Sequence, residues 1–317
     1  MTPQKHCDRN HLDLTLEAVP CPVCGSPENN PVISARDFET DYSNSFNVVR
    51  CSACAMVYTS PRPCLDDLFR YFYNENYVCY TKSGIADAIR ETYLCKSRFN
   101  ALKKKLPQGG RFLDVGCSYG YFLSYLKKNT NWDAYGCEPN PEMAALALKK
   151  GICVKAATLV EAGYPSDYFD MVTMSHVLEH VPDLKETVAD VFRILKPGGL
   201  FITENPDFDA PIRKPFGDNW WGYHLPRHLS HFTKETMTGL LSAAGFSVKG
   251  IKPCFRPGPI AWSIQNLLKN RDFPDSVSSF FGVQNPLFVA LCAFPALMFL
   301  KKGHTDMMET LAQKPRI

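Results

Sequence analysis

The chain is short of net charge. Its 35 basic and 32 acidic residues leave only +3 over 317 residues, too little to argue for nucleic acid or an anionic surface as a partner. The opening stretch MTPQKHCDRNHLDL has no apolar h-region, so no secretory signal is expected. The longest apolar run, Leu287 to Leu300 (LFVALCAFPALMFL), is interrupted by Pro295 and falls short of the ~20 residues needed to span a bilayer. There is no internal repeat and no low-complexity tract. Also absent are the Gly-x-Gly-x-x-Gly dinucleotide fingerprint and the Gly-Lys-Ser/Thr of a P-loop, so no phosphate cradle is expected. Thirteen cysteines, an odd number and mostly scattered, argue for a reducing cytosol rather than a disulfide framework.

Four of those cysteines are not scattered. CPVCG supplies Cys21 and Cys24, and CSAC supplies Cys51 and Cys54. Each Cys-x-x-Cys turn aims two sulfurs at one point, and two such turns make a tetrahedral thiolate site for a structural zinc. Extended segments such as SFNVVRC would form a small ribbon around it. The expected organisation is a zinc-ribbon module at 1–62, a helical linker or cap at 63–107, a core at 108–253, a hydrophobic helical insertion at 254–304 and a last core strand at 305–317.

In the linker, PRPCLDDLFRYFYNENYVCY is rich in aromatics. Gly84 to Leu106 follows as a helix, with Ile89, Tyr93, Leu94, Phe99 and Leu102 at threes and fours. From Arg111 the pattern alternates. RFLDVGC, WDAYGCE, FDMVTMS, LFITEN and FSVKGIK read as strands. Between them lie the helices YFLSYLKKN, NPEMAALALKK with Asn140 as N-cap, Asp183 to Leu195 with an Asp183/Glu186 capping-box start, and Thr233 to Ala244; LKPGG reads as a turn. Such alternation predicts an α/β, Rossmann-like, mostly parallel sheet with helices on both faces.

Ligands of open α/β sheets sit at the carboxyl ends of the strands. The first strand ends LDVGCSYG. Gly116 allows close backbone approach to a ligand, and Gly120 lets the next helix start near the strand. The second strand ends at Glu138, a carboxylate placed to accept both hydroxyls of a ribose. A nucleoside without phosphates beside an acid points to S-adenosylmethionine.

LDVGCSYG, YGCEPN, FDMVTMSHVLEHVPD and LKPGGLFITEN, taken in that order, resemble the class I S-adenosylmethionine-dependent methyltransferases. The resemblance covers roughly residues 111–252. It implies that Asp114, Gly116, Cys117 and Gly120 surround the methionine part and that Glu138 holds the ribose. Ser175, His176 and Val177 would line the methionine side, and Thr158 and Leu159 would lie near the adenine. It also implies a closing antiparallel last strand, for which MMETLAQKP is the candidate. With the zinc ribbon, the chain further resembles sugar C-methyltransferases, although the Glu of their Tyr-His-Glu-His motif is absent here.

The segment WWGYHLPRHLSHFT, Trp220 to Thr233, follows the fifth strand, where this family commonly builds its acceptor site. A hydroxyl attacking a sulfonium methyl must lose its proton, and imidazole, with a pKa of ~6.5, takes it near neutral pH. His228, then His224, are the candidate bases, with His180 of LEHVPD from another loop and His231 ranked behind. Arg227 is a candidate to orient an acidic acceptor. A metal site and hydrogen-bonded structural histidines are the competing readings, and Pro226 argues against one helix through His224, His228 and His231. Trp220, Trp221 and Tyr223 would wall the pocket. Residues 286–300, flanked by Lys301, Lys302 and His304, fit equally a lid over the active site or a peripheral membrane contact.

The functional expectation is therefore O-methylation of a small-molecule acceptor, a sugar, phenol or lipid-linked hydroxyl, by a cytoplasmic enzyme for which peripheral membrane association stays open. Sugar C-methylation is the alternative. An RNA methyltransferase and a non-enzymatic zinc-ribbon interaction protein stand behind it, and no nucleic-acid partner is expected.

Overall fold

The computed structural model describes residues 14–40, 42, 44–73 and 84–316, with backbone alone for 84–93. The reading of the first thirteen residues, the NENYVCY part of the aromatic stretch, and the side chains of Ile89 and Tyr93 lie outside the described residues.

The chain divides into two compact units. One comprises Met1–Val78, Pro206–Thr233 and Pro253–Met307; the other comprises Cys79–Asn205, Lys234–Lys252 and Met308–Ile317. The five sequence segments are thus regrouped: both the segment after the fifth core strand and the helical insertion associate with the N-terminal module. The reason is packing, since Phe208, Trp220, Trp221, Tyr223, Leu225 and Leu229 share one buried cluster with Phe46, Val48, Val57 and Phe72.

In the first unit, β1 (Leu16–Glu17) pairs with β5 (Arg62–Pro63), while β2 (Asn29–Arg36), β3 (Ser45–Cys51) and β4 (Val57–Thr59) form an antiparallel meander. Strand β3 is the extended SFNVVRC expected from sequence, with Phe46 and Val48 buried. The sheet's fourth strand comes from far along the chain. It is β11 (Ser230–His231), which pairs antiparallel with β4 through Ser230–Tyr58 and His231–Val57. Helices Gly258–Asn270, Asp275–Phe280, Pro286–Leu291 and Ala293–Lys301 complete the unit.

The second unit holds a seven-stranded sheet in the order β12-β13-β10-β9-β6-β7-β8. Its strands are β6 (Arg111–Val115), β7 (Asp133–Cys137), β8 (Cys153–Lys155), β9 (Phe169–Ser175), β10 (Leu195–Pro206), β12 (Ser247–Pro253) and β13 (Met307–Gln313). The pairs β6–β7, β7–β8, β6–β9 and β9–β10 are parallel. This is the Rossmann-like architecture expected, and MMETLAQ supplies the inserted strand β13. The chain winds outward from β6 through β7 to β8, then returns to lay β9 on the other side of β6. The switch point, and with it the crevice, therefore opens at the carboxyl ends of β6 and β9. Phe112, Leu123, Leu126 and Met171 fill the core beneath it, each such side chain contributing about 1.5–3 kcal/mol by leaving water.

Local differences have local causes. LKPGG is not a separate turn but a bulge within β10, where the register against β9 slips between Leu195 and Leu200. Asn140 caps Pro141–Lys149 as expected, accepting from the amides of Glu142 and Met143. Asp183 precedes Leu184–Ile194, but its side chain makes no capping bond. The capping box sits instead at Thr158 and Glu161.

Candidate active site and thiol cluster

The crevice of the second unit begins at Asp114, near the end of β6. Its carboxylate does not stand open. Arg98, from the helix Gly84–Lys103, donates to both oxygens at 2.7 and 3.2 Å, and Thr173 of β9 donates to Oδ1 at 2.6 Å. The Arg98 guanidinium also lies 4.1 Å from the centre of the Phe122 ring. Burial would lower the arginine, but Asp114 outweighs it and raises it. Arg98 was missed in the sequence, because only the folded helix brings it to the strand.

After β6 the chain turns through Gly116 at φ +68°. A Cβ there would meet Val177 Cγ2 at 2.5 Å, so the loops after β6 and β9 approach at a distance only glycine permits. Gly120, at φ +69°, plays the same part where the next helix meets Ala147. Cys117 is buried, and Ser118 Oγ is buried with no hydrogen-bond partner among the described residues. Glu138, just past β7, accepts from the Ser118 amide at 2.9 Å and the Asn140 amide at 3.0 Å, one on each oxygen. Burial raises its pKa against those two bonds. Each carboxylate oxygen retains capacity to accept from a diol. A cradle needing glycine, an orphaned hydroxyl and a buried acid together fit a nucleoside cofactor. Thr158 is exposed and Leu159 buried beyond the chain that pairs with Glu138 through Ala157.

On the other wall, Ser175 ends β9 and His176 adopts φ +55°. Glu179, also missed in the sequence, anchors this loop from beneath by accepting from Asn205 at 2.7 Å. Burial would raise Glu179, but His176, by hydrogen bond and charge, and His180, by charge, lower it. His180 is half-buried in the turn Leu178–His180.

In the first unit, WWGYHLPRHLSHFT forms no continuous helix. A short turn at Trp221–Tyr223 leads to His224 at φ +37°, and β11 follows. His228 is buried, and its Nδ1–H donates to the Gly222 carbonyl at 2.9 Å, which puts the basic lone pair on Nε2. His231 Nε2 lies 3.3 Å from Thr59 Oγ1, whose own proton goes to the His228 carbonyl at 2.7 Å. His224 instead meets a carboxylate, with Nε2 at 2.9 Å from Glu39 Oε1. Burial would raise Glu39, but the charge and hydrogen bond of His224, with Arg227, hold it down to about 2. His224 and Glu39 line a cavity with Arg36, Trp262 and Asn266. Arg227 does not face an acceptor. It is 2% exposed, bonded to the Phe72 carbonyl and Asp37 and ion-paired at 3.2 Å to Glu39. Trp220, Trp221 and Tyr223 line the same cavity.

The four cysteines of the two turns converge. Cys21 and Cys54 sulfurs are 3.4 Å apart, Cys24 and Cys51 3.5 Å, and all four lie within 4.8 Å of one another. A tetrahedron with ~2.3 Å metal–sulfur bonds has edges of about 3.8 Å, so the set is the size of a metal cage. Both turns close alike: Gly25 N–H bonds Cys21 O, Ala55 N–H bonds Cys51 O, and both residues have positive φ. Burial pushes the Cys51 thiol up, but the amides of Cys54 and Ala53 outweigh it and bring it to about 7.

A family model described as a methyltransferase domain matches residues 87–249, just over half of the chain. An uncharacterized protein of Methanocaldococcus jannaschii is 27% identical over 198 residues, 62% of this chain and 88% of its own length. The ubiquinone biosynthesis O-methyltransferase of Pseudomonas fluorescens is 31% identical over 156 residues, 45% of this chain and 67% of its own. A ubiquinone/menaquinone biosynthesis C-methyltransferase of Vibrio parahaemolyticus is 30% identical over 111 residues, 28% of this chain, and the match spans less than half, 42%, of that relative. Among solved structures, an S-adenosylmethionine-dependent methyltransferase of Archaeoglobus fulgidus superposes with a TM-score of 0.49 at 20% identity, covering 70% of this chain and 94% of that one.

Proposed function

We propose that this chain, which belongs to the methyltransferase-domain family of class I S-adenosylmethionine-dependent enzymes, methylates an oxygen of a small-molecule acceptor: a sugar, phenol or lipid-linked hydroxyl. The observation that carries the choice of oxygen is the His224–Glu39 pair. Glu39, held ionised, accepts from Nε2–H and so fixes the orientation of the imidazole. S-adenosylmethionine, when bound, would supply the methyl group on its sulfonium, and the imidazole would take the proton that the acceptor hydroxyl gives up. This reading moves His224 ahead of His228, which is buried and bonded to the Gly222 carbonyl; His228 and His180 follow it. For the cofactor, Glu138 takes the ribose hydroxyls. Gly116, Cys117, Ser118 and Gly120 face Ser175, His176 and Val177 across the methionine part, while Asp114 acts through Arg98 and Thr173 to hold the first loop.

The thiol cluster is assigned a structural zinc on Cys21, Cys24, Cys51 and Cys54. The cluster closes a small sheet whose β4 also carries Thr59, so the metal would support the His228 carbonyl and the His231 ring. As to place in the cell, a reducing compartment suits four free thiols.

The test is methyl transfer from isotopically labelled S-adenosylmethionine to free sugars, phenols and lipid-linked acceptors, with the methylated position read by nuclear magnetic resonance. An O–CH3 product supports the reading. A C–CH3 product overturns the choice of oxygen. Failure to bind S-adenosylmethionine at all, by calorimetry, overturns the cofactor assignment.

A further inference from the structure

The helices Pro286–Leu291 and Ala293–Lys301 are joined by Cys292 in right-handed helical conformation, so one helical path runs through both. Their inner side is buried: Cys292 and Ala296 pack with Ile212, Ile260 and Ala261, joined by the partly buried Phe288 and Phe299. Their outer side is also apolar. Leu287, Leu291 and Phe294, at i, i+4 and i+7, are 77%, 71% and 72% exposed, and Leu297 and Met298 continue the stripe. Phe280, 60% exposed, adjoins it through Phe281, whose ring is 5.2 Å from that of Phe288. A helix apolar on both faces gains nothing from facing water on one of them.

Charge identifies the occupant. From residue 276 to residue 305 there is no acidic side chain, and the apolar stripe ends in exposed Lys301 and Lys302. Docking of a second copy on this face would bring cations to a face with no acids to meet them. Lysines bordering an apolar helix face are what an anionic bilayer interface attracts. No helix among the described residues is long and apolar enough to cross a membrane.

We propose that residues 280–302 seat this protein on the surface of an anionic lipid bilayer, with Leu287, Leu291 and Phe294 in the acyl boundary and Lys301 and Lys302 among the headgroups. The inference is independent of the acceptor's identity and of the histidine chemistry.

The experiment is co-sedimentation of the full chain with vesicles of phosphatidylcholine mixed with phosphatidylglycerol, against phosphatidylcholine alone, alongside sedimentation equilibrium without lipid. The wild-type chain is expected to bind the anionic vesicles and to be released by salt. Leu291→Ser with Phe294→Ser should reduce partitioning on the order of 100-fold, and Lys301→Glu with Lys302→Glu roughly tenfold or more. Because all four side chains are exposed, melting temperature and S-adenosylmethionine affinity should be unchanged. A wild-type chain that stays in the supernatant, binds both vesicle types equally, or instead self-associates through Leu291 and Phe294 overturns the proposal. So does undiminished binding by the Ser variant.

Discussion

Replacing Glu39 with Gln tests the electrostatics of the first unit and the proposed chemistry together. The Glu39 carboxyl is 15% exposed, 2.9 Å from His224 and 3.2 Å from Arg227. Its pKa lies near 2 in the folded chain against 4.5 ordinarily. A difference of 2.5 units corresponds to about 3 kcal/mol, from ~1.36 kcal/mol per unit. Because the folded value is the lower one, this stabilisation is complete above about pH 4.5 and is lost as the pH falls toward 2. Gln keeps the shape and a hydrogen bond to His224 but carries no charge, and it leaves the buried Arg227 with Asp37 alone. Urea denaturation followed by tryptophan fluorescence should therefore show the variant less stable by about 3 kcal/mol near neutral pH. The gap should shrink as both proteins are brought below about pH 3. In turnover, the variant should lose part of the ~10²–10⁴-fold contribution of a general base, while S-adenosylmethionine affinity holds. Equal stability near neutrality, or a gap that does not close in acid, would refute the electrostatic reasoning. Full turnover would remove the pair from the mechanism.

The opposite sign is expected at Asp306, whose carboxyl burial pushes up to about 6 against the hydrogen bond from the Trp220 indole. The folded value lies above the ordinary 3.8, so the group costs stability as the pH rises through about 6. Asp306→Asn, whose amide oxygen still accepts from the Trp220 indole, should gain on the wild type between about pH 4 and pH 8 by up to about 3 kcal/mol, read as a widening difference in melting temperature. Metal analysis of the reduced protein should find one zinc per chain, and Cys54→Ser should lose it; a metal-free wild type would sink the assignment. Thr59→Val removes the bond to the His228 carbonyl and should destabilise by about 1–3 kcal/mol; a fully stable variant would deny β4 its supporting role.

Features that rest on backbone demands could be read from the residues alone. Gly116 and Gly120 adopt left-handed conformations and meet side chains at distances no Cβ allows, and such requirements leave a mark in the local sequence. Glu138 belongs with them, because the end of a strand fixes where an acid can point. The paired Cys-x-x-Cys turns carry their own geometry within five residues each. What stayed hidden depends on partners distant in the chain. Arg98 reaches Asp114 across 16 positions, and Glu39 reaches His224 across 185. No period or spacing encodes either, since both exist only once the sheets have formed. The histidines show the consequence. In the sequence, His228 gains weight from Arg227 beside it, yet the two sit in a turn whose amides both bond the His224 carbonyl, and Arg227 is drawn inward by Asp37 and Glu39. Glu39, one of those two acids, also gives His224 its carboxylate. One buried network thus holds Arg227 between two carboxylates and pairs His224 with one of them. The Glu39 and Arg227 side chains should accordingly couple: in a double-mutant cycle, Arg227→Met should cost markedly less in the Glu39→Gln background than in the wild type.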